Sequence, residues 1–98
     1  MELLARNWRS GHYELDLVMD DGGCIRIVEV KSLQADDGFD PVENMTPSKC
    51  SKLVIAARRF ISENPTGREV VFDVVSVIFD GPDANITYIP CAFLPLIQ

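Results

Sequence analysis

Between His12 and Asp20 the chain alternates. His12, Glu14, Asp16 and Val18 fall on one side, and Tyr13, Leu15, Leu17 and Met19 on the other. A period of two predicts a β-strand. Asp20-Asp21-Gly22-Gly23 then reads as a tight hairpin turn, because Asp-Gly suits the left-handed backbone such turns need. Cys24 to Leu33, rich in Ile and Val, is the returning strand. Upstream, Leu3 to Arg9 is a short strand ended by Ser10-Gly11.

Downstream, Gln34 to Met45 reads as a polar loop. Thr46-Pro47 opens a helix, with Thr as N-cap and Pro in the first helical position. The helix runs to about Glu63, and Leu53, Ala56, Ala57 and Phe60 share one face. Asn64-Pro65-Thr66-Gly67 stops it. Glu69 to Phe79 is β-branched and apolar, as a central strand requires. Asp80-Gly81-Pro82-Asp83 turns the chain into a last strand, Asn85 to Pro90. The order β-β-β-α-β-β predicts a single α/β domain, residues 1–98: a mixed sheet with the helix packed on one face.

The predicted hairpin has chemical consequences. With Asp21-Gly22 as the turn, Asp20 faces Gly23, Glu14 faces Glu29 and Asp16 faces Ile27. Alternation then sends Glu14, Asp16, Glu29 and Lys31 to one face. Asp16 and Glu29 become diagonal neighbours, with backbones about 7–8 Å apart. Like charges placed so destabilise a sheet, and a hard divalent cation offsets them. Mg²⁺ or Mn²⁺ would activate a water and polarise a phosphodiester there, with Lys31 orienting the water or stabilising charge. A solvated polar face of an antiparallel sheet explains the same residues without chemistry.

Composition narrows the setting. The net charge of −6 argues against general electrostatic grip on nucleic acid, yet catalytic carboxylates themselves add negative charge. The three cysteines, Cys24, Cys50 and Cys91, are scattered and accompany a single histidine, so a zinc site is not expected. They read as small buried apolar groups in a reduced, cytoplasmic protein. No signal peptide and no membrane span are expected.

Glu14-Leu15-Asp16-Leu17-Val18 followed by Ile27-Val28-Glu29-Val30-Lys31 resembles the PD-(D/E)XK nuclease signature. With Ala5-Arg6-Asn7, Thr46 and Lys49, Phe72-Asp73-Val74 and Ala92-Phe93 in order, the chain is similar to the YraN-like family, uncharacterised bacterial proteins predicted to be endonucleases. The resemblance implies a restriction-endonuclease-like fold and a metal-dependent nuclease acting on DNA, with branched or damaged DNA as candidate substrates. It implies Asp16, Glu29 and Lys31 as catalytic residues. The metal would be held by Asp16, Glu29 and the Val30 carbonyl, with Glu14 as an accessory acid. Tyr13, Leu33 and Val71 stand where the family carries a glycine and two arginines. The family's leading helix is expected to be absent here. The first strand would then expose an edge that invites a homodimer.

Other residues admit two readings. Asp73, inside an apolar strand, reads first as a buried acid held by structural partners and second as support for the metal site. Lys49 and Lys52 are a solvated helix face or phosphate contacts. Asp36, Asp37 and Asp40 are loop solvation or a weak cation site. Trp8 belongs to the core or an interface, and His12 to a solvated edge. The rival to a nuclease is a non-catalytic nucleic-acid-binding or assembly module on the same fold.

Overall fold

In a computed structural model the described residues are 1–35 and 45–93. The elements are β1 (Glu2–Ser10), β2 (Tyr13–Asp20), β3 (Cys24–Gln34), α1 (Pro47–Glu63), β4 (Glu69–Asp80) and β5 (Asp83–Phe93). They form one five-stranded sheet in the order β1-β2-β3-β4-β5. Only β3 and β4 run parallel, so α1 is the crossover between them. The expected α/β architecture and element order are those observed. The loop expected at Gln34 to Met45, with Asp36, Asp37 and Asp40, lies mostly outside the described residues.

The core forms where α1 lies on the sheet. Leu53, Ala56, Ala57 and Phe60 of the helix meet Leu15, Val18, Ile25, Ile27 and Phe72 of the strands. Trp8 joins from β1, its ring edge-on to Phe60 at 5.5 Å between centroids. The helix begins where Thr46 accepts the Lys49 N–H at 3.3 Å, with Pro47 in the first turn. It ends where the Asn64 N–H donates to the Phe60 carbonyl at 2.9 Å. Thr46→Ala should lower stability by about 1 kcal/mol, read from a denaturant midpoint, since it frees one N–H of the first turn.

Two departures from simple strand geometry shape the site. The first is the β2–β3 register. Asp20 faces Ile25, not Gly23, and Leu17 faces Val28. The reason is local: Asp20 accepts the Gly22 N–H at 2.8 Å, and Asp21 accepts those of Gly23 at 2.9 Å and Cys24 at 2.8 Å. These aspartates take N–H groups that a tighter turn would leave to the ladder, and the turn lengthens.

The second departure breaks the alternation. Leu15 and Val18 both enter the core, as do their β1 partners Trp8 and Ala5. Partners three residues apart cannot share a face in a regular strand. The break falls at the level of Asn7, whose φ of 50° is left-handed, a conformation Asn tolerates better than most residues. Glu14, between inward Tyr13 and Leu15, is therefore turned away from the helix, while Val18 faces it.

On the opposite side of the sheet lies a second polar centre. Asp73, fully buried, accepts from Arg26 Nη1 at 3.2 and 3.1 Å and from the Cys91 N–H at 2.9 Å. The Tyr88 hydroxyl also donates to it. Burial, then the hydrogen bond to Asp73 and its charge, push the Tyr88 phenol up to about 12. Arg26 continues to Asp21 at 2.6 Å, tying the hairpin turn to β4. Pairing between β4 and β5 shifts between Phe72 and Val74, where Cys91 adopts a φ of 49°. Asp73 thus caps a bulge that carries β5 past Pro90 to Phe93, beyond the strand end expected from sequence. At Cys91 the fold uses the backbone N–H. Its thiol is exposed, not buried as expected, and Cys24 and Cys50 are half-buried.

Candidate functional site

Past the Leu17–Val28 pair, the last in the β2–β3 ladder, the two strands part. The Asp16 carboxylate fills the gap, accepting the Val30 N–H at 2.8 Å. A backbone donor that would face an opposing carbonyl is satisfied by a side chain, as an internal N–H requires. This holds the Asp16 carboxylate against β3 beside Glu29, the next residue back along that strand. Asp16 and Glu29 have the same sequence separation from the Leu17–Val28 pair, so the longer turn brings them level.

Glu29 and Lys31 continue the face of Ile25 and Ile27, the face that α1 covers. Lys31 Nζ lies 3.5 Å from Glu29 Oε1, and both side chains are about four-fifths buried, at 20% and 18% exposure. Burial raises the Glu29 carboxyl first, the Asp16 charge and hydrogen bond raise it further, and Lys31 pulls the other way. The balance places it at about 7.

A folded pKa above the ordinary 4.5 means the native state holds a proton that the unfolded chain has released. Stability from Glu29 is present below about pH 4.5 and lost as pH rises through about 7. The thermal midpoint of metal-free protein should fall across that window, and Glu29→Gln should flatten the fall. An unchanged slope in the variant would refute this assignment.

Asp16, Glu29 and Lys31 are therefore brought together; the fourth expected member is not. Glu14 pairs with Arg9 at 3.2 Å across β1–β2, both largely exposed. The alternation break at Asn7 and Asp16 rotates Glu14 out of the cluster, which corrects the one-face expectation. Among the described residues no three His, Cys, Asp or Glu side chains gather closely enough to hold a metal. Val30 is at the site through its N–H. Asp73 shares its level with Val28 and its contacts with Arg26, Tyr88 and Cys91, none of them site residues. It takes the structural reading. Lys49 and Lys52 are exposed in the first turns of α1, and His12 is exposed at the β1–β2 turn.

Sequence reasoning missed Ser76. It lies beside Lys31 in the parallel ladder, 1% exposed, and its hydroxyl has no hydrogen-bond partner among the described residues. The available signal was one hydroxyl inside Val74-Val75-Ser76-Val77-Ile78.

The site residues all lie in a segment that matches a family model. Residues 1–77 match the uncharacterised protein family UPF0102. A UPF0102 protein of Chloroherpeton thalassium is 38% identical over 98 residues, 99% of this chain and 76% of that protein. One from Bacteroides fragilis is 40% identical over 90 residues, covering 92% and 74%. One from Oleidesulfovibrio alaskensis is 46% identical over 78 residues, 79% of this chain but only 39% of the longer relative. No helix among the described residues is long and apolar enough to cross a membrane. The chain belongs to the uncharacterised protein family UPF0102.

Proposed function

We propose that the protein is a Mg²⁺- or Mn²⁺-dependent nuclease that hydrolyses phosphodiester bonds in DNA. The observation that carries this reading is the meeting of Asp16, Glu29 and Lys31 where β2 and β3 part. Two adjacent carboxylates, one of them raised by burial and then by the charge of the other, are a poor structural arrangement and a good donor set for a hard cation, which takes one or two carboxylates and keeps its waters. Asp16 and Glu29 would hold it, with the Val30 carbonyl as the remaining expected ligand. Bound there, the cation would supply a water of lowered pKa and polarise the phosphoryl oxygen.

The protein's own groups do the rest. Asp16 is held in place by the Val30 N–H at 2.8 Å. The Lys31 ammonium, drawn to Glu29, neutralises charge on the same face and can stabilise charge developing on phosphate. Lys49 and Lys52, on the helix that covers this face, are the proposed phosphate contacts.

A second reading, a non-catalytic binding or assembly module, is favoured by the net charge of −6 and the outward turn of Glu14. Incubating purified protein with Mn²⁺ and a branched or supercoiled DNA separates the two. The nuclease reading expects nicking that Lys31→Ala abolishes. Equal cleavage by the variant, or none by the parent under any divalent metal, would favour the rival.

A further inference from the structure

Ser76 has a buried hydroxyl without a partner among the described residues, and such a group costs stability unless something uses it. Its surroundings say what could. In the parallel β3–β4 ladder Ser76 stands directly beside Lys31, as Glu29 stands beside Val74 and Ile27 beside Phe72. Ile27 and Phe72 both lie in the core under α1. Paired residues of a parallel ladder share a face, and alternation carries that face to Lys31 and Ser76. Neighbouring backbones in a sheet are about 4.8 Å apart, well within the reach of a lysine's four-carbon stem.

Lys31 has three N–H donors and, among the described residues, one ion-pair partner, Glu29 Oε1 at 3.5 Å, a long contact for a charged pair. Any ligand that occupies Glu29 competes with that contact. We propose that Ser76 is a positioning residue for Lys31: its hydroxyl oxygen accepts from the ammonium when Glu29 is engaged elsewhere, so the charge stays on the reacting face. The inference rests on the nuclease reading for its purpose, but the side-chain exchange itself does not require activity. In the resting protein Lys31 turns to Glu29 and Ser76 waits without a partner, which accounts for both observations together.

The test has a structural arm and a kinetic arm. In a crystal structure of Glu29→Gln, which weakens the pull on the ammonium, Lys31 Nζ should lie within about 3.2 Å of Ser76 Oγ. Lys31 left beside residue 29, or turned to solvent, overturns the proposal whether or not the protein cleaves DNA. For cleavage, Ser76→Ala should lower kcat about tenfold to a hundredfold with little change in KM, the scale of a misplaced group. Its thermal midpoint should equal or exceed that of the parent, because an unpartnered hydroxyl is removed. Ser76→Thr, which keeps the acceptor, should recover most of the rate. A purely structural serine predicts the reverse: a lower midpoint with kcat intact, or no rescue by threonine. If the parent shows no cleavage, the nuclease reading fails and the crystal arm alone decides the Lys31–Ser76 contact.

Discussion

Asp73→Ala should lower the thermal midpoint by more than about 10 °C, the largest single loss of stability expected in this chain. Asp73 is fully buried and accepts from three groups on two strands: Arg26 of β3, and Tyr88 and the Cys91 N–H of β5. Removing it leaves a mostly buried guanidinium whose remaining partner is Asp21 on the hairpin turn. Removing one partner of a buried ion pair costs about 3–5 kcal/mol, because the other charge stays in the interior. Domains of this size hold about 5–15 kcal/mol in total, so the variant would stand near unfolding. Each kcal/mol moves the midpoint by roughly 4–8 °C at this length. Asp73→Asn keeps the shape and one acceptor and should lose less. Circular dichroism melts of the two variants check the order. A drop of under about 2 °C for Asp73→Ala would mean that water or a neighbour replaces the carboxylate.

Asp16→Asn should cost more than about 100-fold in metal-dependent cleavage while leaving the fold intact. The two effects separate because Asp16 has two jobs. As a hydrogen-bond acceptor it satisfies the Val30 N–H, and an asparagine carbonyl can do the same. As a carboxylate it supplies charge to the proposed cation, and an amide cannot. Partners outside the coordination sphere of a metal already cost about 10–100-fold when lost, so a direct ligand should exceed that. Asp16→Ala should lose both functions, leaving the Val30 N–H unpaired at a cost of about 1–3 kcal/mol. Equal activity of parent and Asp16→Asn would remove Asp16 from the proposed centre. Equal stability of the asparagine and alanine variants would show that the Val30 contact does little for the fold.

Much of the fold could be read from periodicity, because burial writes itself into residue order. The α1 face of Leu53, Ala56, Ala57 and Phe60 is the buried face, and Thr46-Pro47 is the helix start. What periodicity could not supply was the detail of backbone satisfaction. The hairpin register slipped because Asp20 and Asp21 bind turn N–H groups with their side chains, a choice that Asp-Gly dipeptides leave open. Strict alternation puts Glu14 with Asp16, and a left-handed Asn7 on the neighbouring strand breaks that alternation. The register change did not separate Asp16 from Glu29, because a shift of an even number of residues preserves faces. It brought them level instead. Asp73 was legible as a buried acid with partners, yet Tyr88 and Cys91 could not be named until β5 was placed by its bulge. Ser76 carried a signal of its own, a hydroxyl in an apolar strand, but its value depends on the β3–β4 register that sets it beside Lys31.

The proposed nuclease needs Asp16 and Glu29 to form one half of a cation site. A crystal soaked in Mn²⁺ and measured at the manganese absorption edge decides whether they do. An anomalous peak is expected about 2 Å from a carboxylate oxygen of each residue, missing from Asp16→Asn crystals treated alike. A peak elsewhere, or clean density between the two carboxylates at millimolar manganese above pH 7, would contradict it.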